Sequence, residues 1–262
     1  MLRLSDQDIV LAKADLANVP NGKVLINTIN AHSFNVAQKD PLFAEALDTS
    51  NPTANAEKQC RKFLIPDGAS VVMACKLLHA QSRPKERIAG WDLFVFEMQQ
   101  LNDKGKHAVS EKKKVLFVGS SDTVLQSIVR KAAVEYPYLD VITYSPPYKK
   151  EFSADDTQSM ISFINQVNPD LLWIGMTAPK QEKWAWQHWN ELNIHCHVGT
   201  IGAVFDFFAG TMSRAPLWWQ NHSLEWLYRL LKEPRRMWRR YLLGNMLFVW
   251  NILSEKFSCS AR

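Results

Sequence analysis

The chain has 262 residues, 47% hydrophobic and 22% charged, with 31 Lys and Arg against 26 Asp and Glu for a formal net charge of +5. That apolar content supports a sizeable core in one large domain or two lobes and excludes a disordered chain, while the positive balance favours polyanionic partners: phosphorylated small molecules, nucleic acid or an anionic membrane surface. Cys60, Cys75, Cys196 and Cys259 are scattered without a Cys-x-x-Cys pair, which argues against zinc or a disulfide framework and suits a reducing cytosol.

The N-terminal Met1-Leu-Arg-Leu-Ser-Asp-Gln-Asp carries charge early and has no signal-peptide apolar core. Short β-branched or apolar runs then alternate with longer amphipathic segments, the pattern of an α/β fold. Strands are predicted at Val24–Ile29, Phe63–Ile65, Val115–Gly119, Asp140–Tyr144, Leu171–Gly175 and Ile194–Val198. Helices are predicted at Ala69–Ala80, Asp92–Leu101, Thr123–Tyr136, Asp155–Val167 and Lys180–Leu192. The polar, basic stretch Asn102–Lys114 divides the 1–213 core into lobes of about 1–101 and 115–213, the second Rossmann-like. Ser145-Pro-Pro-Tyr-Lys-Lys is a loop, because two prolines deny it a regular ladder.

From Arg214 to the end the chain reads as a helical, basic appendage. Pro234 suits a first helical position. Arg235, Arg236, Arg239 and Arg240 then share one helix face by their spacing, and Met237, Trp238, Tyr241 and Leu242 share the opposite one. The longest apolar run, Tyr241 to Leu253, contains Gly244, Asn245 and Asn251 and falls short of the roughly 18 apolar residues of a membrane span. The expected location is therefore cytoplasmic, with the appendage peripheral on the membrane.

Five motifs carry chemistry, each with a plainer alternative. Thr28-Ile-Asn-Ala-His-Ser33 ends a strand, where ligands bind in open α/β sheets; Ser33 and Asn35 could instead cap the next helix. Ile65-Pro-Asp-Gly68 places Asp67 at a strand-to-helix junction, as a proton acceptor or as a helix cap or turn residue. In Glu86-Arg-Ile-Ala-Gly-Trp-Asp92, Arg87 offers a fork for phosphate or a surface ion pair with Glu86 or Asp92. Gly175-Met-Thr-Ala-Pro-Lys-Gln-Glu182 is an anion-binding helix start with Lys180 and Gln181 as added donors, or an ordinary βα loop. Val198-Gly-Thr-Ile-Gly-Ala-Val-Phe-Asp206 has Gly199 and Gly202 but no third glycine, so it is not a NAD fingerprint; Asp206 could still hydrogen-bond a nucleoside. Trp184, Trp186 and Trp189 read as packing.

The order of these motifs, followed by Arg-Ala-Pro and Leu-Glu-Trp-Leu-Tyr-Arg-Leu, resembles the WecG/TagA/CpsF family, glycosyltransferases of family 26. The resemblance runs from roughly Val24 to Arg240 and is most specific over Pro179–Arg240. It implies an inverting, cofactor-free enzyme that moves a sugar from a UDP-sugar to an undecaprenyl-diphosphate-linked saccharide in cell-surface polysaccharide synthesis. By the same resemblance Asp67 is the catalytic base, and Thr28, Asn30, Arg87 and Gln181 share its pocket. Gly175, Lys180, Gly199 and Asp206 fall on the nucleotide-sugar side. Arg214, Arg229, Arg236 and Arg239 fall on the lipid-diphosphate and membrane side.

Val118-Gly-Ser-Ser-Asp-Thr, Ser145-Pro-Pro-Tyr-Lys-Lys and Thr177 depart from the family pattern, all in the expected nucleotide-binding lobe. Donor identity therefore stays open among N-acetylmannosamine, its uronic acid, glucose and glucuronic acid. No Asp-x-Asp loop is present, and Asp155-Asp156 begins a helix, so no metal site and a metal-independent transfer are expected. A nucleotide-sugar oxidoreductase or epimerase would need a complete Gly-x-Gly-x-x-Gly and a Tyr-x-x-x-Lys. A nucleic-acid-binding role is disfavoured because the arginine face is backed by an apolar one, and that apolar surface could self-associate into a homo-oligomer without a bilayer.

Overall fold

A computed structural model describes residues 1–50, 58, 60–107, 112–222 and 224–260. Six strands, β1 (Val24–Ile29), β2 (Arg61–Pro66), β3 (Lys113–Val118), β4 (Leu139–Tyr144), β5 (Leu171–Ile174) and β6 (His197–Thr200), form one sheet in the order β2-β1-β6-β5-β3-β4. Every pairing is parallel. Both faces of such a sheet are covered, so its strands read as continuous apolar runs. All four residues of β5 are buried, as are Val24–Asn27 of β1. The α/β, Rossmann-like expectation stands, and the two halves of the chain share one sheet: β6 lies between β1 and β5.

The pleat sorts the core onto two faces. Val24, Ile26, Val115, Phe117, Leu171 and Trp173 point to one side. There they meet α4 (Gly90–Lys106), α5 (Asp122–Glu135) and α8 (Gly202–Ala209). Phe94 of α4 anchors this layer, with ring centroids 4.9 Å from Phe208, 5.6 Å from Trp173 and 6.2 Å from Phe117. Leu25, Leu116, Leu172, Ile174 and Val198 point the other way, onto α6 (Ala154–Val167) and α7 (Lys180–Gln187). Trp184, Trp186 and Trp189 are buried there as packing, as expected. A third cluster covers the β1–β2 edge with α1 (Ala31–Ala37), α2 (Pro41–Leu47), α3 (Ala69–Leu77) and the N-terminal segment.

Several expected boundaries move. The last strand starts three residues later than expected, and the helix predicted over Lys180–Leu192 is α7 followed by a 3-10 turn at Trp189–Glu191. Helix α4 continues to Lys106, which shortens the expected linker; its residues 108–111 lie outside the described ones. Helices α2 and α8 were not anticipated as elements, and α1 was anticipated only in the capping alternative for the Thr28–Ser33 motif. Asn30 caps α1, its Oδ1 accepting from His32 N and Ser33 N at 3.0 Å each, while Ser33 Oγ accepts from Asn30 N at 2.8 Å. This reciprocal box uses Ser33, as the capping alternative expected, but sets the cap itself at Asn30 and leaves Asn35 out. Asn35 instead donates to Gly244 O at 2.7 Å.

At the start of β6, His197 Nδ1 lies 2.8 Å from Glu97 Oε1 and Nε2 lies 3.0 Å from Pro20 O. Pro20 O can only accept, so Nε2 donates, and a carboxylate beside Nδ1 favours the doubly protonated imidazolium form. Burial alone would lower its pKa, but the Glu97 carboxylate and the Pro20 carbonyl outweigh burial and raise it.

Beyond Arg214 the chain is helical: α9 (Leu217–Asn221), α10 (Glu225–Lys232), α11 (Pro234–Trp238), a π-turn at Arg239–Leu243 and α12 (Gly244–Ser260). Pro234 opens α11 as its first residue. The π-turn overrides the 3.6-residue wheel, so Arg239 and Arg240 do not share one face. Arg239 lies over the Trp238 ring at 5.3 Å, whereas Arg240 faces α1, where burial and then this cation push His32 down to about 4. The apolar set splits too: Met237 is buried, but Trp238 and Leu242 are exposed. Helix α12 docks on α1 through Phe248, edge-on to Phe34 at 5.5 Å, and through buried Ile252. Its outer side exposes Met246, Val249, Trp250, Leu253 and Phe257. Among the described residues no helix is long and apolar enough to cross a membrane.

Candidate active site

The chain leaves β1 toward α1 on one face of the sheet and leaves β6 toward α8 on the other. Divergence of this kind opens a crevice at the carboxyl ends of the strands, where open α/β sheets bind ligands. Asp67 stands at that end, directly after β2. Its N–H donates to Ile29 O at 2.9 Å, fixing it beside the end of β1. Gly68 takes φ +152, a conformation L side chains rarely adopt, and turns the chain into α3. Gly68, not Asp67, occupies the cap position of α3, and no side chain caps that helix.

The Asp67 carboxylate makes no hydrogen bond or ion pair among the described residues. The helix-cap alternative therefore fails; Asp67 lies in the turn from β2 into α3. Burial raises its pKa above the ordinary carboxylate value; Arg87 and Arg229 oppose that shift, and Glu225 and Asp92 reinforce it. A half-buried carboxylate with raised basicity and no internal partner has the properties of a general base.

Arg87 is held close by the backbone. Pro66 O accepts from both Gly68 N and Ile88 N at 3.0 Å, tying the two motifs to one carbonyl. The surface pair expected with Glu86 or Asp92 does not form; Arg87 Nη2 instead pairs with Glu225 Oε2 at the start of α10. Arg214 Nη2 reaches the other oxygen, Glu225 Oε1, at 3.3 Å, and its guanidinium lies 5.3 Å from the Trp91 ring. Beside this group is a cavity of about 420 Å³, lined by Lys13, Lys85, Arg87, Asp92, Arg214 and Gln220 among others. Arg229 lies over Phe207 at 5.0 Å and acts on Asp67.

The remaining expected residues sort by position. Thr28 packs toward Gly90, where an added Cβ would meet its Cγ2 at 3.5 Å. Asn30 Oδ1 is spent on the α1 cap, while its amide NH2 has no partner among the described residues. Gln181 is buried; its Oε1 accepts from Met176 N at 3.0 Å and Gly202 N at 3.1 Å, joining the exits of β5 and β6. Its Nε2 donates to Glu182 Oε1 at 2.8 Å. Burial pushes the Glu182 carboxyl up to about 7, and among the described residues Glu182 Oε2 has no hydrogen-bond partner.

Gly175 and Gly199 sit where a Cβ would strike the Phe205 ring at 2.4 Å and the Trp173 ring at 2.2 Å, so close packing already demands glycine at both. Lys180 donates to Lys149 O and covers the Phe152 ring at 3.4 Å, stitching down the loop after β4. Asp206 is half-buried on α8 and accepts from Thr211 Oγ1 at 3.2 Å. Arg239 is exposed on the appendage, and the Arg236 side chain lies outside the described residues. Sequence reasoning missed Glu225 and Trp91. The available signal was an acid inside Leu-Glu-Trp-Leu-Tyr-Arg-Leu, within an otherwise basic tail.

The profile of the Glycosyl transferase WecG/TagA/CpsF family matches residues 4–262. This chain belongs to that family. The glycosyltransferase is 31% identical over 232 residues to the N-acetylglucosaminyldiphosphoundecaprenol N-acetyl-beta-D-mannosaminyltransferase of Bacillus subtilis (strain 168), a match covering 88% of this chain and 80% of the relative. It is also 31% identical over 214 residues to the protein of the same name from Bacillus spizizenii, covering 81% and 76%.

Proposed function

We propose that this glycosyltransferase moves N-acetylmannosamine from a UDP donor onto N-acetylglucosamine carried on undecaprenyl diphosphate, with inversion and without a metal. The free carboxylate of Asp67 at the sheet's carboxyl end carries the reading. In the reaction the acceptor hydroxyl gives its proton to Asp67, and its oxygen bonds to the anomeric carbon. The bond from that carbon to the phosphate oxygen breaks, and UDP leaves with the electron pair. One in-line displacement inverts the centre and needs a single base.

Charge developing on the leaving diphosphate calls for fixed cations. Arg87 and Arg229 act on Asp67, and Arg214 shares Glu225 with Arg87, so these three could supply them. The choice of sugar and acceptor follows the names of the two Bacillus relatives.

The outer face of α12, with Met246 63%, Trp250 69% and Phe257 71% exposed, suits shallow insertion into the cytoplasmic leaflet. Exposed Arg235 and Arg239 would each add about 1 kcal/mol near anionic lipid. Such docking would bring the cavity to a lipid-linked acceptor.

The test is a panel of UDP-sugars with a lipid-diphosphate N-acetylglucosamine acceptor, with Asp67→Asn run beside the parent and EDTA in parallel. Transfer of N-acetylmannosamine that Asp67→Asn abolishes and EDTA leaves intact is expected. Undiminished turnover by Asp67→Asn would reject the base, and loss in EDTA reversed only by Mg²⁺ or Mn²⁺ would reject the arginine route.

A further inference from the structure

Arg87 poses a problem for the catalytic carboxylate beside it. An arginine within ion-pair reach lowers a carboxyl pKa by about 1–3, which weakens the base by about 10- to 1000-fold. Arg87 is the foremost cation acting on Asp67, and its segment hangs from the same Pro66 carbonyl as the Asp67 turn. Yet the two side chains form no ion pair. The Arg87 guanidinium is engaged by Glu225, and both side chains are only 17% exposed.

We infer that Glu225 is a positioning residue that draws Arg87 onto the appendage and thereby keeps the Asp67 carboxylate unpaired for proton transfer. The inference rests on the reading of Asp67 as base. Four charges face Asp67: Arg87 from the segment before α4, Asp92 from α4, and Glu225 and Arg229 from α10. Arg214 steadies Glu225 through its second oxygen, so the carboxylate is shared by two guanidinium groups. Asp92 cannot take over the task, because its Oδ2 accepts from Ala89 N at 2.8 Å and its Oδ1 pairs with Lys13 at 3.2 Å.

Removing the charge of Glu225 would act twice in the same direction. It would take away an anion that favours the protonated form of Asp67, and it would free Arg87 to pair with that acid. The base is therefore strong only while α10 is seated, so appendage docking and catalytic readiness become one event.

The experiment uses the full chain. The pH dependence of kcat/KM is measured for the parent, Glu225→Gln, Glu225→Ala and Glu225→Asp. In parallel, ¹³C-carboxyl NMR follows the titration of Asp67, assigned with Asp67→Asn. Glu225→Gln and Glu225→Ala are expected to move the acid limb and the Asp67 titration down by about 1 pH unit or more. The plateau kcat should fall about tenfold or more, with a smaller change in KM, and Glu225→Asp should largely restore the parent profile. An unmoved acid limb and Asp67 titration in folded Glu225→Gln and Glu225→Ala, with Asp67→Asn inactive, would overturn the role of Glu225 alone. Activity persisting in Asp67→Asn would instead remove the base, and the inference with it.

Discussion

Gln181→Met keeps the length of a side chain that is 4% exposed and deletes its amide. Three hydrogen bonds disappear. Met176 N and Gly202 N lose the oxygen that lies 3.0 and 3.1 Å away, and Glu182 Oε1 loses its donor at 2.8 Å. A buried polar group left without a partner costs about 1–3 kcal/mol, so the two stranded amides alone cost about 2–6 kcal/mol. Little space exists for a substitute, since even a Cβ on Gly202 would sit 2.1 Å from Met176 O. Against a typical domain stability of about 5–15 kcal/mol, that is a large fraction. Urea unfolding followed by tryptophan fluorescence should show a lower midpoint with an unchanged slope. The kcat of the remaining folded enzyme should drop as the β5 and β6 exits lose their common tie. Stability within about 0.5 kcal/mol of the parent, the range of an ordinary surface change, would refute this account of Gln181.

His197 gives a pH signature. Its folded pKa is raised above the unfolded value, so its stabilisation is complete below about pH 6.5 and is lost as pH rises through the folded pKa. Thermal melts of the parent should therefore decline across that window relative to His197→Gln, and parallel curves would contradict a stabilising Glu97–His197 ion pair. On α12, Met246→Glu combined with Trp250→Glu should reduce flotation with anionic liposomes while leaving the melting temperature near that of the parent, because both side chains already face solvent. Equal flotation would remove this face from membrane contact.

How much of this was legible before the structure depended on the range of the interactions involved. The strand cores announced themselves because a parallel sheet buried on both faces needs uninterrupted runs such as Val-Leu-Phe-Val and Leu-Leu-Trp-Ile. Ser121 and Ser153 mark the starts of α5 and α6 by local capping chemistry. Helix α8 was missed because Gly-Ala-Val-Phe-Asp-Phe-Phe-Ala is apolar around most of its circumference and shows little periodicity. The last strand was set too early because Ile194 and Cys196 are buried like strand residues, although the strand itself starts at His197 and Cys196 offers only its carbonyl to Val24 N at 3.4 Å.

Within the candidate site, Asp67 and Arg87 stood out by their junction and turn residues. The partner of Arg87 did not, for Glu225 lies 138 positions away and only the folded appendage brings it near. The arginine wheel failed at Arg239 and Arg240 for a related reason: a helical wheel assumes one periodicity, and the π-turn at Arg239–Leu243 changes it.

The place of β6 has a consequence for synthesis. It bridges β1 and β5, yet it leaves the ribosome about 170 residues after β1, which at about 5–20 residues per second is roughly 10–30 s later. Until then any pairing of β1 with β2, or of β5 with β3, leaves a bare inner edge, rich in valine, isoleucine and leucine and open to pairing with a stranger. Newly made chains should accordingly lean on chaperones most heavily in the interval before His197–Thr200 emerges, and crowding on polysomes should penalise yield more than any weakness of the finished molecule.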